Sequence, residues 1–166
     1  RLVRPAGVTI DRARGLLYVA DPSRGDSSDH SVKVFDLSGK FLRKVGAGRG
    51  TCDGCLMFPT FVAVDSKGQV YVSNTLNARI DVFDENFKLV SDVSFDISKS
   101  LPAGFAPFNV ATFDDMVVVA FAKQDAKKEG AVAGPGLGFV ATFDVTGKLL
   151  ALAKGPELNA PWGMAV

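Results

Sequence analysis

Apolar residues come in short bursts along this chain, as in Leu16-Leu17-Tyr18-Val19-Ala20, Val70-Tyr71-Val72 and Val117-Val118-Val119-Ala120-Phe121. Polar, glycine-bearing stretches such as Asp11-Arg12-Ala13-Arg14-Gly15 and Asp65-Ser66-Lys67-Gly68 separate them. The bursts are rich in β-branched and aromatic residues, and no segment of useful length repeats every 3.6 residues, so the pattern predicts short strands joined by tight turns. Residues 7–10, 16–20, 32–35 and 41–45 read as the first four strands. A second set falls at 62–64, 70–72, 80–83 and 88–93, and a third at 109–113, 116–121, 139–143 and 149–153.

The sets keep register with two phrases. Pro5-Ala6-Gly7-Val8, Pro59-Thr60-Phe61-Val62, Pro107-Phe108-Asn109-Val110 and Pro161-Trp162-Gly163-Met164 open successive units at intervals of 54, 48 and 54 residues. Val34-Phe35-Asp36, Val82-Phe83-Asp84 and Thr142-Phe143-Asp144 recur inside them. A period of this length with four strands per repeat marks a propeller blade. The fold class is therefore all-β: a β-propeller of four-stranded antiparallel blades, with three blades and the first strand of a fourth. Blade 1 spans about 5–46, blade 2 about 58–97, blade 3 about 106–153, and the extra strand 160–166, within one partial propeller domain over 1–166.

Three blades and a strand do not close a ring, since propellers need at least four. The expectation is a piece of a larger, six-bladed ring, or a half-propeller that completes one as a homodimer. Within each unit, proline suits the first position of a strand because it has no N–H to donate. Gly7 and Gly163 fit a crowded site near the axis, and Asp36, Asp84 and Asp144 suit turns in which a carboxylate accepts backbone N–H groups.

Composition narrows the partners. With 166 residues, 47% hydrophobic, the chain can bury one sizeable core. The formal charge of +1 gives no electrostatic reason to expect nucleic acid. No stretch approaches the roughly 20 apolar residues of a membrane span, and the N-terminus has no signal-peptide layout.

Residues 5–45 and 59–90, with Tyr18-Val19-Ala20-Asp21 and Tyr71-Val72-Ser73-Asn74, resemble NHL repeats. That family includes protein-binding and RNA-binding modules, a zinc-dependent lyase and calcium-dependent esterase relatives, so the resemblance implies fold more sharply than function. Residues 105–166, through Phe105-Ala106-Pro107-Phe108-Asn109-Val110, Ala122-Lys123-Gln124-Asp125-Ala126 and Leu158-Asn159-Ala160-Pro161-Trp162-Gly163, resemble a family of uncharacterised, exported bacterial propeller proteins. This implies an extracytoplasmic protein, periplasmic or secreted. The junction of two propeller types fits either natural divergence or an assembled chimera.

Alternating strand direction places the loops 21–31, 73–79 and 123–138 on one rim with 46–57, 98–106 and 154–160. Loops on a rigid scaffold are where binding concentrates, and 123–138 is longer than a hairpin needs. Lys123, Gln124, Asp125 and Asn74 are candidate rim contacts, and Asn109 is placed to reach a central channel. Cys52-Asp53-Gly54-Cys55 is compatible with a disulfide, half a metal site or a redox dithiol. His30 is the sole histidine and no third cysteine exists, which disfavours a closed zinc site. The leading reading is a local disulfide of Cys52 with Cys55, implying an oxidising compartment. Asp21, Asp26 and Asp29 with Ser23, Ser27 and Ser28 permit a calcium site by ligand type alone, and no cofactor is otherwise expected. One histidine supports no Ser-His-Asp or Cys-His arrangement.

Three functions follow as expectations. The first is a non-catalytic binding or scaffold propeller whose rim contacts a protein or an extracellular polymer. The second is a metal-dependent hydrolase or lyase of the lactonase or esterase type with an axial metal. The third is a self-assembling half-propeller.

Overall fold

The computed structural model describes residues 1–24, 26–128 and 130–164. The first burst pattern becomes an antiparallel sheet of β1 (Gly7–Asp11), β2 (Leu16–Asp21), β3 (Ser31–Asp36) and β4 (Phe41–Val45) in sequence order. A three-stranded sheet follows, β5 (Pro59–Val64), β6 (Val70–Asn74) and β7 (Arg79–Phe83), with a single 3-10 turn at Thr75–Asn77. The third sheet holds β8 (Phe105–Phe113), β9 (Met116–Lys123), β10 (Gly138–Asp144) and β11 (Leu149–Lys154). The innermost strands stand side by side, β1 against β5 and β5 against β8. The chain is an arc of a β-propeller.

Aspartate organises the hairpins. Asp36, Asp65, Asp84 and Asp144 each accept, through Oδ1, the backbone N–H groups two and four residues on, at 2.8–3.0 Å. The turn reverses at a positive φ, supplied by Gly39, Gly68 and Gly147 but by Phe87 in the turn after β7.

Blades pack face to face. Tyr18, Ala20, Val32, Val34, Val62, Val70, Val72 and Leu56 fill the gap between the first and second sheets. Tyr71, Ile80, Val82, Val110, Val117, Val119, Phe139 and Phe143 fill the gap between the second and third. Gly7 is crowded as its place in the repeat predicts, since a Cβ there would lie 2.6 Å from the Thr60 carbonyl oxygen. Thr60 of β5 and Thr75 of the 3-10 turn stitch the second sheet to β8 by donating their hydroxyls to the carbonyls of Phe108 and Pro107, both at 2.8 Å.

The repeat pattern misplaces some features. A full fourth strand at 88–93 does not form: only the Phe83–Leu89 bridge and the Val90 N–H to Val82 carbonyl bond pair with β7. Beyond Val90 the chain turns away because Phe95 and Ile97 are drawn into the core between the second and third sheets. Residues 160–164 form no strand, while Ala165 and Val166 lie outside the described residues. The segment nevertheless takes a blade-like place: Trp162 stacks on Phe108 with centroids 5.1 Å apart, and its carbonyl accepts from Asn109 Nδ2. Gly163 is not crowded, having open space around a would-be Cβ. Pro59 opens its strand, whereas Pro107 sits inside β8 at a register shift.

Candidate functional site

The loop rim predicted from strand direction is interlocked by polar contacts. The Arg49 N–H donates to the Ser28 carbonyl, Asn77 Nδ2 to the Gly50 carbonyl at 2.9 Å, and Gln124 Nε2 to the Thr75 carbonyl at 3.0 Å. Cys52 and Cys55 form a disulfide. Arg79 grips that loop from outside, donating to the Cys52 carbonyl at 2.8 Å and reaching the Cys55 carbonyl at 3.3 Å.

The sequence-derived candidates occupy particular places on this frame. Asn74 is fully buried, with Oδ1 accepting the Met57 N–H and Nδ2 donating to the Cys55 carbonyl and Asp81. Its amide fastens the disulfide loop to β6. Lys123 donates to the Ala103 carbonyl at 2.9 Å and lies over the Phe105 ring. Gln124 and Asp125 belong to a small hairpin that accounts for the length of 123–138: Gln124 bridges Ala131, and the Asp125 N–H bonds the Gly130 carbonyl. Asn109 is buried and engaged with residue 162. The side chains of Asn74, Asn109, Lys123 and Gln124 hold the rim and inner strands together through bonds to backbone carbonyls.

The aspartates proposed for calcium take another role. Asp21 is buried and receives Lys33 Nζ at 2.6 Å, together with the N–H groups of Val3, Arg4 and Ser23. Burial disfavours its charge, but the Lys33 ammonium and those three N–H groups together hold the carboxyl below the usual carboxylate range. Lys33 is itself buried and also reaches Asp29 at 3.4 Å. Among the described residues no three His, Cys, Asp or Glu side chains cluster as metal ligands.

His30 is buried as a neutral ring that holds the first blade to the second. Its Nδ1 accepts the Phe58 N–H at 2.9 Å, which leaves Nε2 to donate to the Arg24 carbonyl at 3.2 Å. Burial pushes the imidazole below its ordinary range. The unfolded chain therefore takes up the proton first as pH falls. The contribution of His30 is complete above the unfolded value of about 6.5 and is lost as pH drops towards the lower folded value. Urea midpoints should decrease from pH 7.5 to 5.5 in the parent chain and much less in His30→Gln; equal slopes would refute the assignment.

Sequence reasoning missed a cleft on this rim. A cleft of about 630 Å³ opens on the rim between β7 and the 91–104 connection. Asp53, Arg79 and Asp81 form one wall, Val90, Phe95 and Asp96 another, and Leu101 and Phe105 the end. Arg79 Nε lies 2.9 Å from Asp81 Oδ1 without alignment for a hydrogen bond. Burial raises the Asp81 carboxyl above its usual range, with Asp53 adding to the rise against the lowering contacts of Asn74 and Arg79. The sequence signal that could have pointed to it is the apolar pair Phe95 and Ile97, just beyond the outer strand read at 88–93.

Comparison with known proteins places this geometry. Residues 56–83 match the NHL repeat. The chain is 32% identical over 101 residues to an uncharacterized protein of Acanthamoeba polyphaga mimivirus, covering 58% of this chain and 19% of that protein. It is 36% identical over 100 residues to NHL repeat-containing protein 2 of Bos taurus, covering 55% of this chain and 13% of the relative. It thus spans about a fifth or less of these relatives' lengths. Among solved structures, a chain of the nidogen/laminin complex aligns with TM-score 0.58 at 17% identity, covering 91% of this chain and 47% of that one. A chain of Kuenenia stuttgartiensis hydrazine synthase aligns with TM-score 0.59 at 17% identity, covering 92% and 38%. These likenesses establish an NHL-like propeller fold. No helix among the described residues is long and apolar enough to cross a membrane.

Proposed function

We propose that residues 1–166 are one partial propeller domain of a non-catalytic binding module, whose loop-rich rim contacts a protein or an extracellular polymer. The observation that carries this reading is the rim itself: a disulfide and side-chain-to-backbone bonds fix its loops around an open cleft. A surface ordered before contact loses little conformational entropy on binding. The disulfide and the resemblance of 105–166 to exported bacterial propellers support an extracytoplasmic setting.

The test is binding of the purified chain to a fixed panel of extracellular matrix proteins and cell-surface polysaccharides, measured by interferometry. Lys123→Ala with Asp53→Ala, both on the rim, should weaken a panel interaction, whereas Lys40→Ala with Lys148→Ala, in turns on the opposite side, should not. Binding to no panel member, or equal loss from both pairs, would overturn the reading.

Completion of the ring by a second copy is supported by apolar side chains at the two ends of the arc. Val8 and Ile10 point away from the second sheet and are 61% and 52% exposed, while Leu150 and Trp162 are exposed at the other end. Unpacked propeller faces of this kind call for another blade, from a second copy or from further chain of the same protein. A solution mass of one chain at micromolar concentration would exclude the homodimer.

A further inference from the structure

The second blade lacks the outer strand its neighbours have, and the reason is local. Asp84 to Lys88 makes the same aspartate turn as the other blades, and Val90 begins the ladder with its N–H on the Val82 carbonyl. The chain then departs because Phe95 and Ile97 bury themselves between the sheets. In β7, alternation turns the main-chain groups of Ile80 and Val82 outward, since Val82 already bonds Val90 on that side. Among the described residues, the Ile80 N–H and C=O and the Val82 N–H have no partner there. Ile80 and Val82 both line the 630 Å³ cleft, so this edge of β7 borders it. An unpaired strand edge is a ready template for another extended chain.

We propose that this edge of β7 receives an extended, lysine- or arginine-bearing peptide segment of a partner protein, which adds to the second blade as its outer strand. This rests on the binding reading above and names the partner chemistry of the same rim. Main-chain pairing would supply affinity, as in other strand additions, and the flanking side chains would set the sequence. Val82, Val90, Phe95, Leu101 and Phe105 offer apolar contact to one face of the incoming strand. Its charge follows from the walls: Asp53, Asp81 and Asp96 line the cleft with one cation among them, Arg79, which is already turned to Asp81 and the disulfide loop, while Lys123 beside the Phe105 end is held on the Ala103 carbonyl. The volume lies within the usual range for ligand sites, about 300–1,000 Å³. Ser91, Asp92, Ser98, Pro102 and Ala103 are exposed around the mouth, so the entry is open.

The test uses the whole chain and a fluorescent hexapeptide of alternating lysine and valine, titrated by anisotropy. Saturable binding is expected. N-methylation of alternate peptide residues keeps the charge and removes the ladder donors, and should weaken binding by at least about tenfold. Replacing lysine by glutamate in the peptide should abolish it, and Asp53→Asn and Asp96→Asn should each weaken it by about threefold. No saturable binding, or equal binding of the N-methylated or glutamate peptides, would overturn the proposal. If the panel still yields a rim-dependent partner while the peptide fails, the binding reading survives and only the strand addition is lost.

Discussion

Replacing Asp21 by alanine should destabilise the chain by about 3–5 kcal/mol, because it leaves the buried Lys33 ammonium without its close counter-charge. The side chains of Asp21 and Lys33 are 0% and 2% exposed, and their atoms meet at 2.6 Å. Asp29 is a weaker substitute at 3.4 Å, and it is already shared with Lys44. The Val3, Arg4 and Ser23 N–H groups would lose their acceptor as well. Urea unfolding of Asp21→Ala and of Asp21→Ala with Lys33→Met separates the two costs. The double variant should regain a large part of the loss, since the orphaned charge is gone, but not all of it, since the N–H groups stay unpaired. A loss below about 1 kcal/mol would place this pair with ordinary surface ion pairs. Acid should act in the same direction. The folded carboxyl is held below its unfolded value of about 3.9, so its contribution is complete above that pH and disappears as pH falls through the lower folded value.

Phe95→Ala should cost a similar amount, about 3–5 kcal/mol, by opening a cavity between the second and third sheets. Phe95 meets Tyr71 edge-on with centroids 5.8 Å apart and Phe143 at 5.2 Å, and it is buried. It is also the anchor that draws the 91–104 connection off β7, so its loss should speed amide exchange across that connection more than in the first sheet. Phe95→Leu, which keeps most of the volume, should cost clearly less. Unchanged urea midpoints and unchanged exchange in Phe95→Ala would remove the physical basis for the missing outer strand.

Much of the architecture was legible because its causes are local. Apolar bursts of the right length, aspartate followed by glycine or by Phe87, and the spacing of four proline phrases each report on a few consecutive residues. Eleven of the twelve strands read in the three units are observed, all but β4 with ends extended by a residue or more where cross-strand pairing continued. The local disulfide was legible for the same reason, since Cys52 and Cys55 are three residues apart.

The departures have non-local causes. Lys88 to Val93 carries the composition of a strand, but burial of Phe95 and Ile97 against another blade outweighs the few ladder bonds the strand would have made. Asp21 reads as a calcium ligand by type until folding brings Lys33 and the N-terminal amides around it. Asn74 and Gln124 read as rim contacts, yet their amides meet backbone carbonyls from other loops.

By itself, then, the sequence determined the strands, the turns, the repeat and the propeller class, because hydrophobic alternation and turn chemistry act over a few residues. The tertiary structure alone decided which polar groups are spent on holding blades together and which edge is left open, because packing and electrostatic pairing depend on residues far apart in the chain.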